Sequence, residues 1–332
     1  MMLLLLVPLS VVSGLMMAPP ETSRVSPLKF MATAPADVEE KVGLLPRERY
    51  VASNRFQVRD GKAAAFEQRW ATRKSRLANL DGFRYFTLLR RVPLVEVVGE
   101  RGAQAMGGNE NKKYDYKSLT IWEGKDNFDA WRNGDAFVEA HGGKGIGNFL
   151  KAIVSSLQVL KGAPTPVFYD GLLHLANPPT NDKKVEGGWR VVDADGVNQL
   201  DAECFVAANK FKIRKGAEAA FEERWRTREG SLTDLPGFKS FTMLRHDGNN
   251  FDKDPLGDDF NYMSFTVWQD KKSFNGWRNS QSFKDAHGGG AKKQKQEENA
   301  PDDKPKELPP WVRPPQVEFW EGVLELTNPQ GA

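Results

Sequence analysis

The same strand-and-helix pattern occurs twice in this chain with its internal spacing unchanged. The first copy runs from Trp122 to His141 and the second from Trp268 to His287, so that 19 residues lead from the tryptophan to the histidine in both copies. Of the 14 positions that end two residues after the histidine, eight are identical in the two copies. A repeat of this length predicts two copies of one folded unit within the chain.

Length and composition are compatible with two globular domains. The 332 residues include 39% hydrophobic residues, enough for a large core, and the net charge of +3 is small beside 27% charged residues. This balance gives no support for a nucleic acid as the partner, which would favour a concentrated basic face. The single cysteine, Cys204, excludes a disulfide within the chain and begins an apolar run, so we expect it in the core.

Residues 1–45 are interpreted as a targeting segment outside the fold. Residues 1–18 are apolar but too short for a comfortable membrane span, and they resemble the hydrophobic part of a signal peptide. Residues 19–36 are rich in Ser, Thr, Pro and Ala and contain one acid, Glu21, which is typical of a transit peptide. The combination predicts delivery to a plastid through the secretory route, with plain secretion as the alternative, and no stable membrane span.

Each copy of the pattern lies within a unit that reads strand, helix, strand, strand, helix, strand. In the first unit Phe66, Trp70 and Arg73 recur at helical spacing and form one stripe of an amphipathic helix. The elements predicted for this unit are a strand at 51–58, a helix at 62–80, a strand at 83–90, a loop at 95–113, a strand at 116–122, a helix at 126–141 and a strand at 167–175. The second unit predicts the same order, with strands at 205–213, 241–245, 261–268 and 317–326 and helices at 216–233 and 271–287.

This order of elements is ferredoxin-like, an α+β unit whose four-stranded antiparallel sheet carries helices on one face only. The other face needs cover, which an identical sheet can supply. We therefore expect two tandem βαββαβ domains, residues 48–179 and 201–329, joined by a polar linker at 180–200 and packed as an internal pseudo-dimeric α+β barrel. Because one chain supplies both halves of that barrel, we expect a monomer.

The two units differ most in the segment that follows the histidine. Residues 145–161 are apolar enough to pack over a pocket, whereas residues 291–307 are rich in Lys, Gln, Glu and Asp and predict a solvated or disordered loop. The sequence leaves open whether one pocket or both are functional.

The repeated histidines are the first candidates for chemistry, because the sequence has no phosphate-binding glycine loop, no Ser-His-Asp order and no Cys/His metal cluster. His141 and His287 each end a predicted helix and precede two glycines. An imidazole there can ligate a metal or a haem iron, or accept a proton. The alternative is a charge partner for the helix C-terminus. Two further histidines, His174 and His246, lie in a strand and at the start of a polar loop.

Asn54 and Asn209 hold the same position in an apolar strand of their units. Strand propensity and burial both disfavour asparagine there unless the amide has a partner. The amide therefore either faces water at a sheet edge or points into a cleft, where it donates a hydrogen bond to a ligand. Trp122 and Trp268 are either core residues or the wall of a cofactor site. The tryptophans at the repeated helical positions are assigned to core packing: Trp70, Trp131, Trp225 and Trp277.

Three short segments, built around the asparagine, the tryptophan and the histidine, recur in both units. They are Asn54-Arg55-Phe56, Leu119-Thr120-Ile121-Trp122 and Phe137 through Ala140-His141 in the first, and Asn209-Lys210-Phe211, Phe265-Thr266-Val267-Trp268 and Phe283 through Ala286-His287 in the second. Both sets resemble the IsdG-like haem-degrading monooxygenases, or haem oxygenases, of the antibiotic-biosynthesis monooxygenase (ABM) superfamily. The resemblance covers nearly the full length of each unit and implies two tandem ABM domains.

This resemblance implies a role for each repeated residue. The histidine ligates the haem iron, the phenylalanine lines the haem site, the asparagine hydrogen-bonds the ligand on the distal side, and the tryptophan presses on the macrocycle and distorts it. Haem is then both substrate and cofactor, O₂ opens the tetrapyrrole, iron is released, and electrons come from an external donor, either a reductase or a small reductant. The residues are Asn54, Trp122, Phe137 and His141 in the first unit and Asn209, Trp268, Phe283 and His287 in the second.

Two alternatives to haem degradation remain open from the sequence. Other members of the superfamily act on quinones and polyketides without a cofactor, so the chain can be a cofactor-independent ABM-type monooxygenase acting on a quinone or polyphenol. It can also be a haem-binding carrier or sensor that returns haem intact.

Overall fold

A computed structural model describes most of the two units. The described residues are 43–106, 113–140, 156–179, 183–228, 232–248, 254, 256–281, 283 and 308–328. The predicted targeting segment up to residue 42, the charged segment at 291–307 and the histidines His141 and His287 lie outside them. Within the described ranges, no helix has both the length and the apolar character needed to cross a bilayer.

The secondary structure follows the predicted order in both units. The first unit has strands β1 (Arg49–Phe56), β2 (Phe83–Val92), β3 (Tyr116–Trp122) and β4 (Thr165–Ala176), and helices α1 (Ala63–Ala71), α2 (Leu94–Ala105), α3 (Lys125–Asn133) and α4 (Asp135–Ala140). Two short strands follow, β5 (Val185–Glu186) and β6 (Trp189–Arg190). The second unit has strands β7 (Cys204–Phe211), β8 (Phe238–His246), β9 (Tyr262–Trp268) and β10 (Gln316–Thr327), and helices α5 (Glu218–Arg226) and α6 (Lys271–Arg278).

The eight long strands close into one barrel in the order β1-β3-β2-β10-β7-β9-β8-β4. The last strand of each unit forms one of the two junctions between the units. Strand β4 pairs with β8, and β10 pairs with β2, in both cases antiparallel. The two sheets therefore cover each other's open face, and the predicted α+β pseudo-dimeric barrel is confirmed.

Alternation along the strands separates a shared interior from an outer face that carries the helices. In the interior, Val51 and Leu119 of the first unit belong to the same buried cluster as Val206 and Phe265 of the second. Cys204 lies in this interior cluster, where burial raises the pKa of its thiol. The expectation of a core cysteine is confirmed.

The turn that precedes the second strand of each unit requires glycine. Gly82 and Gly237 have φ values of 68° and 74°, a left-handed conformation that costs a glycine little. A Cβ on Gly82 would lie 2.2 Å from Cγ of Asn127, and one on Gly237 would lie 2.2 Å from Oγ of Ser273. The glycine stops were predicted, although α1 itself already ends at Ala71.

The prediction of a loop at 95–113 was wrong over its first half, where α2 forms. Leu94, Val97 and Ala103 of this helix are buried, and they pack against the second unit rather than their own. Gly99, with φ 72° and ψ 171°, interrupts the helix. The apolar face of α2 is therefore short and kinked, and only the tertiary structure provides the surface that it covers.

The helix predicted at 126–141 is divided into α3 and α4 by Gly134. Its ψ of 168° is extended, and its N–H donates to the Trp131 carbonyl at 3.1 Å. Glycine has a low helix propensity, so a break at this position has a local cause.

The polar linker predicted at 180–200 contains a structured hairpin, formed by β5 and β6. Trp189 on β6 is buried, and its indole N–H donates to the Trp70 carbonyl at 2.9 Å. Its ring lies 5.0 Å from that of Phe86. The hairpin thus packs beside α1 of the first unit, where it covers part of the outer face.

Each junction of the barrel holds an arginine between two carboxylates. At the β4–β8 junction Arg245 donates to Glu222 and to Asp170, both at 2.9 Å. The hydroxyl of Tyr262 also donates to Glu222, at 2.7 Å. The Glu222 side chain is fully buried, so these donors replace the water that its charge has lost.

The β2–β10 junction repeats this arrangement with equivalent residues. Arg90 donates to Glu67 at 3.0 Å and to Glu321 at 2.7 Å, and the hydroxyl of Tyr116 donates to Glu67 at 2.7 Å. Glu67 additionally accepts the backbone N–H of Leu200 at 2.6 Å. The pseudo-twofold symmetry of the fold therefore extends to its buried ion pairs.

We predict that Arg245→Ala destabilises the chain by about 3–5 kcal/mol, because it leaves the buried carboxylate of Glu222 without its charge partner. The midpoint and slope of urea unfolding measure this change. Arg226→Ala is the control, since Arg226 pairs with Glu223 on the exposed face of α5, and it should change stability little. Equal losses for the two variants would contradict the assigned role of the junction.

Candidate functional site

Asn54 lies in the layer between the sheet and the helices of the first unit. It sits on the same face of β1 as Ala52 and Phe56, and it is paired with Ser118 on β3 and with Pro166 on β4. Because β1 has a neighbour on both sides, the reading of Asn54 as a sheet-edge residue that faces water does not hold.

The amide of Asn54 is incompletely satisfied in this layer. Its Oδ1 is buried and has no hydrogen-bond partner among the described residues. A buried polar atom left unpaired costs about 1–3 kcal/mol, so it calls for an explanation. A ligand that carries a hydrogen-bond donor into the layer can supply the missing partner.

Trp122 lies on the same outer face, four residues along β3 from the Asn54–Ser118 pair, or about 13 Å. Its side chain is fully buried, with ring centroids of Phe83, Phe128 and Trp131 at 5.8, 6.3 and 5.5 Å. Within the described ranges, its Nε1 has no hydrogen-bond partner. The tryptophan is thus enclosed under α3, and a ligand can reach it only if that helix moves outward.

Small side chains form the floor between the asparagine and the tryptophan. Ala52 and Thr120 are paired there, and the Thr120 hydroxyl donates to the Ala52 carbonyl at 3.1 Å. The second unit has the equivalent pair, Ala207 and Thr266. Because these side chains are small, little stands above the sheet between the asparagine and the tryptophan. A surface of this shape suits a flat ligand.

Arg73 connects α1 to the end of α4, directly before the first candidate histidine. Its Nε donates to the Ala140 carbonyl at 3.0 Å, and its guanidinium lies 4.8 Å from the Trp70 ring. Burial lowers the pKa of Arg73 to about 10. Sequence reasoning placed Arg73 in a helical stripe and missed this contact.

The ring of Phe137 lies 5.1 Å from that of Trp131, edge-on.

The second unit reproduces most of this arrangement. Trp268 is fully buried, and its ring lies 5.2 Å from that of Trp277. In the part of the chain that the structure describes, its Nε1 has no hydrogen-bond partner. Phe283 packs edge-on against Trp277 at 4.9 Å. Asn209 differs from its counterpart, because its Nδ2 donates to the Ser264 hydroxyl at 3.2 Å.

Two regions of the chain, residues 49–143 and 204–289, match the family of antibiotic biosynthesis monooxygenases. Together they make up more than half of the chain. The chain belongs to this family. The match begins at β1 in the first unit and at β7 in the second, and it ends two residues after His141 and His287 respectively.

Solved structures with a similar arrangement of elements come from several proteins. One is a candidate monooxygenase from Fusobacterium nucleatum subsp. nucleatum, with 10% identity, coverage of 85% of this chain and 95% of that chain, and a TM-score of 0.48. A second is an anthrone oxidase-like protein, with 10% identity, coverage of 85% of this chain and 94% of that chain, and a TM-score of 0.40. A third is a haem-degrading enzyme from Listeria monocytogenes, with 10% identity, coverage of 82% of this chain and 99% of that chain, and a TM-score of 0.31. Similarities at this level say nothing about the substrate of this chain.

A second polar site, which the sequence did not indicate, lies inside the barrel between the two ABM domains. Lys117 donates to Glu318 at 2.8 Å, and Lys210 contacts Glu318 at 2.8 Å and Asp258 at 2.9 Å. Arg55 is paired with Asp254 in the same region. Burial lowers the pKa of Lys117 to about 8, against the opposing effect of Glu318. Within the described part of the chain, no group of three or more His, Cys, Asp or Glu side chains is arranged to hold a metal.

His174 and His246 lie away from the asparagine–tryptophan layers. His174 is on β4, with Nδ1 2.8 Å from the Thr242 hydroxyl, and burial, with the charge of Arg49, lowers the pKa of its imidazole from 6.5 to about 4. His246 ends β8, and burial lowers the pKa of its imidazole as well.

We predict that His174 makes the ABM barrel less stable in weak acid. The unfolded chain binds a proton on this histidine below about pH 6.5, while the folded chain stays neutral down to about pH 4. Stability therefore falls as the pH falls through this window, by about 2 kcal/mol between about pH 7 and about pH 5. His174→Asn keeps a polar group near Thr242 but does not titrate. Urea unfolding at both pH values should show a smaller pH dependence in the variant, and an unchanged one would refute the assignment.

Proposed function

We propose that the chain is a haem-degrading monooxygenase. It binds haem in the layer between sheet and helices of an ABM domain and opens the tetrapyrrole with O₂ and electrons from an external donor, releasing iron. The observation that carries this proposal is the buried amide oxygen of Asn54, which has no hydrogen-bond partner among the described residues and lies on the same face of the sheet as Trp122.

The residues of the first domain fit a large flat aromatic ligand. The floor is made of Ala52 and Thr120, and aromatic rings that are only partly buried, Phe168 and Trp131, stand beside it. Apolar walls with a few placed polar groups are typical of cofactor sites. Asn54 supplies such a polar group, with both a donor and an acceptor on its amide.

Bound haem supplies the oxygen chemistry, whereas the protein supplies binding, orientation and electrostatics. His141 or His287 would hold the iron, and the amide of Asn54 or Asn209 would hydrogen-bond the bound ligand. Phe137 and Phe283 would line the site beside the histidines. Trp122 is enclosed by α3 in the structure, so the proposal requires α3 to shift before the indole presses on a bound macrocycle. Its equivalent, Trp268, is enclosed in the same way by α6.

The proposal includes an external reductant and a location. The electrons come from a reductase or a small reductant. The apolar and hydroxyl-rich N-terminal residues suit delivery to a plastid, with secretion as the alternative. The two domains complete each other's sheets, so we expect a monomeric pseudo-dimer in solution.

The test is a haemin titration of the purified chain followed by ascorbate in air. We expect a saturating Soret band that decays after ascorbate, with iron captured by a chelator. The double variant His141→Ala, His287→Ala should bind haemin at least about tenfold more weakly, which corresponds to a loss of about 1.4 kcal/mol. His174→Asn is the matched control, because this histidine lies on β4 away from the layer, and it should leave the Soret band unchanged.

Other outcomes of this test would replace the proposal. A Soret band that persists under ascorbate would indicate a haem carrier. A chain without any specific Soret shift, whose oxidation of a quinol or polyphenol is unaffected in the double histidine variant, would be a cofactor-independent monooxygenase.

A further inference from the structure

The two ABM domains are covered differently, although their own elements are equivalent. Helix α2 belongs to the first domain but packs on the second. Its residues Leu94 and Val97 are buried in one cluster with Phe274 of α6 and Phe319 of β10. The apolar side of α2 thus extends the core of the second domain around the helix that encloses Trp268.

Two cations of α6 fix α2 in this position. The ammonium of Lys271 donates to the Glu96 carbonyl at 2.8 Å, and the guanidinium of Arg278 donates to the Val97 carbonyl at 3.0 Å. Both acceptors lie in the first turn of α2 or next to it. The contacts span the length of α6, since Lys271 begins the helix and Arg278 ends it.

The same two positions in the first domain make no such contacts. Lys125, the equivalent of Lys271, pairs with Asp129 of its own helix at 2.7 Å. Arg132, the equivalent of Arg278, lies over the Phe128 ring at 5.8 Å, and its Nε has no hydrogen-bond partner. Among the described residues, helix α3 is therefore held by contacts within its own domain, such as the hydrogen bond from Asn127 to Asp81 at 3.0 Å and the contact of Lys125 with the Tyr50 ring at 5.7 Å.

The last strands of the two domains, β10 and β4, also differ in how far their equivalent phenylalanines are exposed. Phe319 on β10 is 3% exposed, with α2 in the same cluster, whereas its equivalent Phe168 on β4 is only partly buried. The β5–β6 hairpin does not compensate for this, because Trp189 packs at α1, against Trp70 and Phe86. Counting only contacts between described residues, the side of the first layer that borders β4 and α3 is thus the less covered one.

The hydrogen bonds of the two asparagines also differ between the domains. In the second domain the Asn209 amide already donates to Ser264 within the layer. In the first domain Ser118 faces Asn54 at the same place, yet Oδ1 of Asn54 is unpartnered. A ligand that donates to Oδ1 of Asn54 gains a hydrogen bond without breaking one, whereas a ligand that accepts from Nδ2 of Asn209 must first displace the serine.

We propose that α2 is an intramolecular strap that holds the second domain closed, so that the chain takes up one haem, in the first domain. The identity of the ligand rests on the function proposed above, but the strap does not. The two sites have diverged through the connection between the second and third strands. In the first domain it supplies Leu94 and Val97, whereas in the second domain it begins with the polar run Asp247-Gly248-Asn249-Asn250.

Hydrogen exchange of the full-length chain without ligand tests the strap directly. We expect amides of α6 to exchange at least about tenfold more slowly than those of α3, because opening α6 also breaks its contacts with α2. The double variant Lys271→Met, Arg278→Met keeps the aliphatic stems and removes the donors, and it should accelerate exchange in α6. The matched control is Lys125→Met, Arg132→Met, which should leave α6 unchanged. Equal exchange in α3 and α6 of the unmodified chain overturns the strap.

Haemin titration of the same proteins tests the single site. The unmodified chain should saturate at one haem and the Lys271→Met, Arg278→Met variant at two, with exchange in the barrel strands showing that the fold is kept. Asn54→Ala should slow ascorbate-driven Soret decay by a larger factor than Asn209→Ala. Two haems in the unmodified chain, or the opposite order of the asparagine variants, overturn the proposal. A chain that binds no haem refutes the proposed function instead, and hydrogen exchange still decides whether α2 holds α6.

Discussion

The exchange of last strands between the two units is the interaction on which the rest of the structure depends. Because β4 pairs with β8 and β10 with β2, each four-stranded sheet loses its free edges and its open face in the same step. Both strands carry an irregularity in register at the junction, between Leu172 and Leu175 and between Gly322 and Leu324. A Cβ on Gly322 would lie 2.3 Å from the Cys204 sulfur, so the close approach of β10 to β7 requires glycine there.

Charge distinguishes the two units inside this shared barrel. Arg55 and Lys117 of the first unit meet Asp254 and Glu318 of the second. Removing these ions from water costs free energy. Most of that cost is recovered only when the cations of the first unit pair with the carboxylates of the second. Two copies of the first unit would bring the same cations together unpaired. The buried charges therefore favour the pairing of the first unit with the second over the pairing of like units.

A closed barrel with complementary charges leaves the outer layers free to differ. Each layer has an asparagine, a small-residue floor and an enclosed tryptophan, and alternation along the strands, together with the register of β1 with β3 and of β7 with β9, places these residues on one face. What the alternation did not reveal is how each layer is covered. Helix α2 and the β5–β6 hairpin arise in connections that read as polar loops, and each gains its stability by burying a few side chains, such as Val97 and Trp189, on a surface distant in sequence.

The sequence by itself determined the duplication, the order of the elements and the glycine turns at Gly82 and Gly237. These features depend on local propensity and on periodicity, which a single chain displays directly. The tertiary structure alone decided the course of α2, the buried ion pairs and the different hydrogen bonding of the two asparagines. Most of these features depend on which side chains meet across the barrel, and such contacts exist only once the chain has closed on itself.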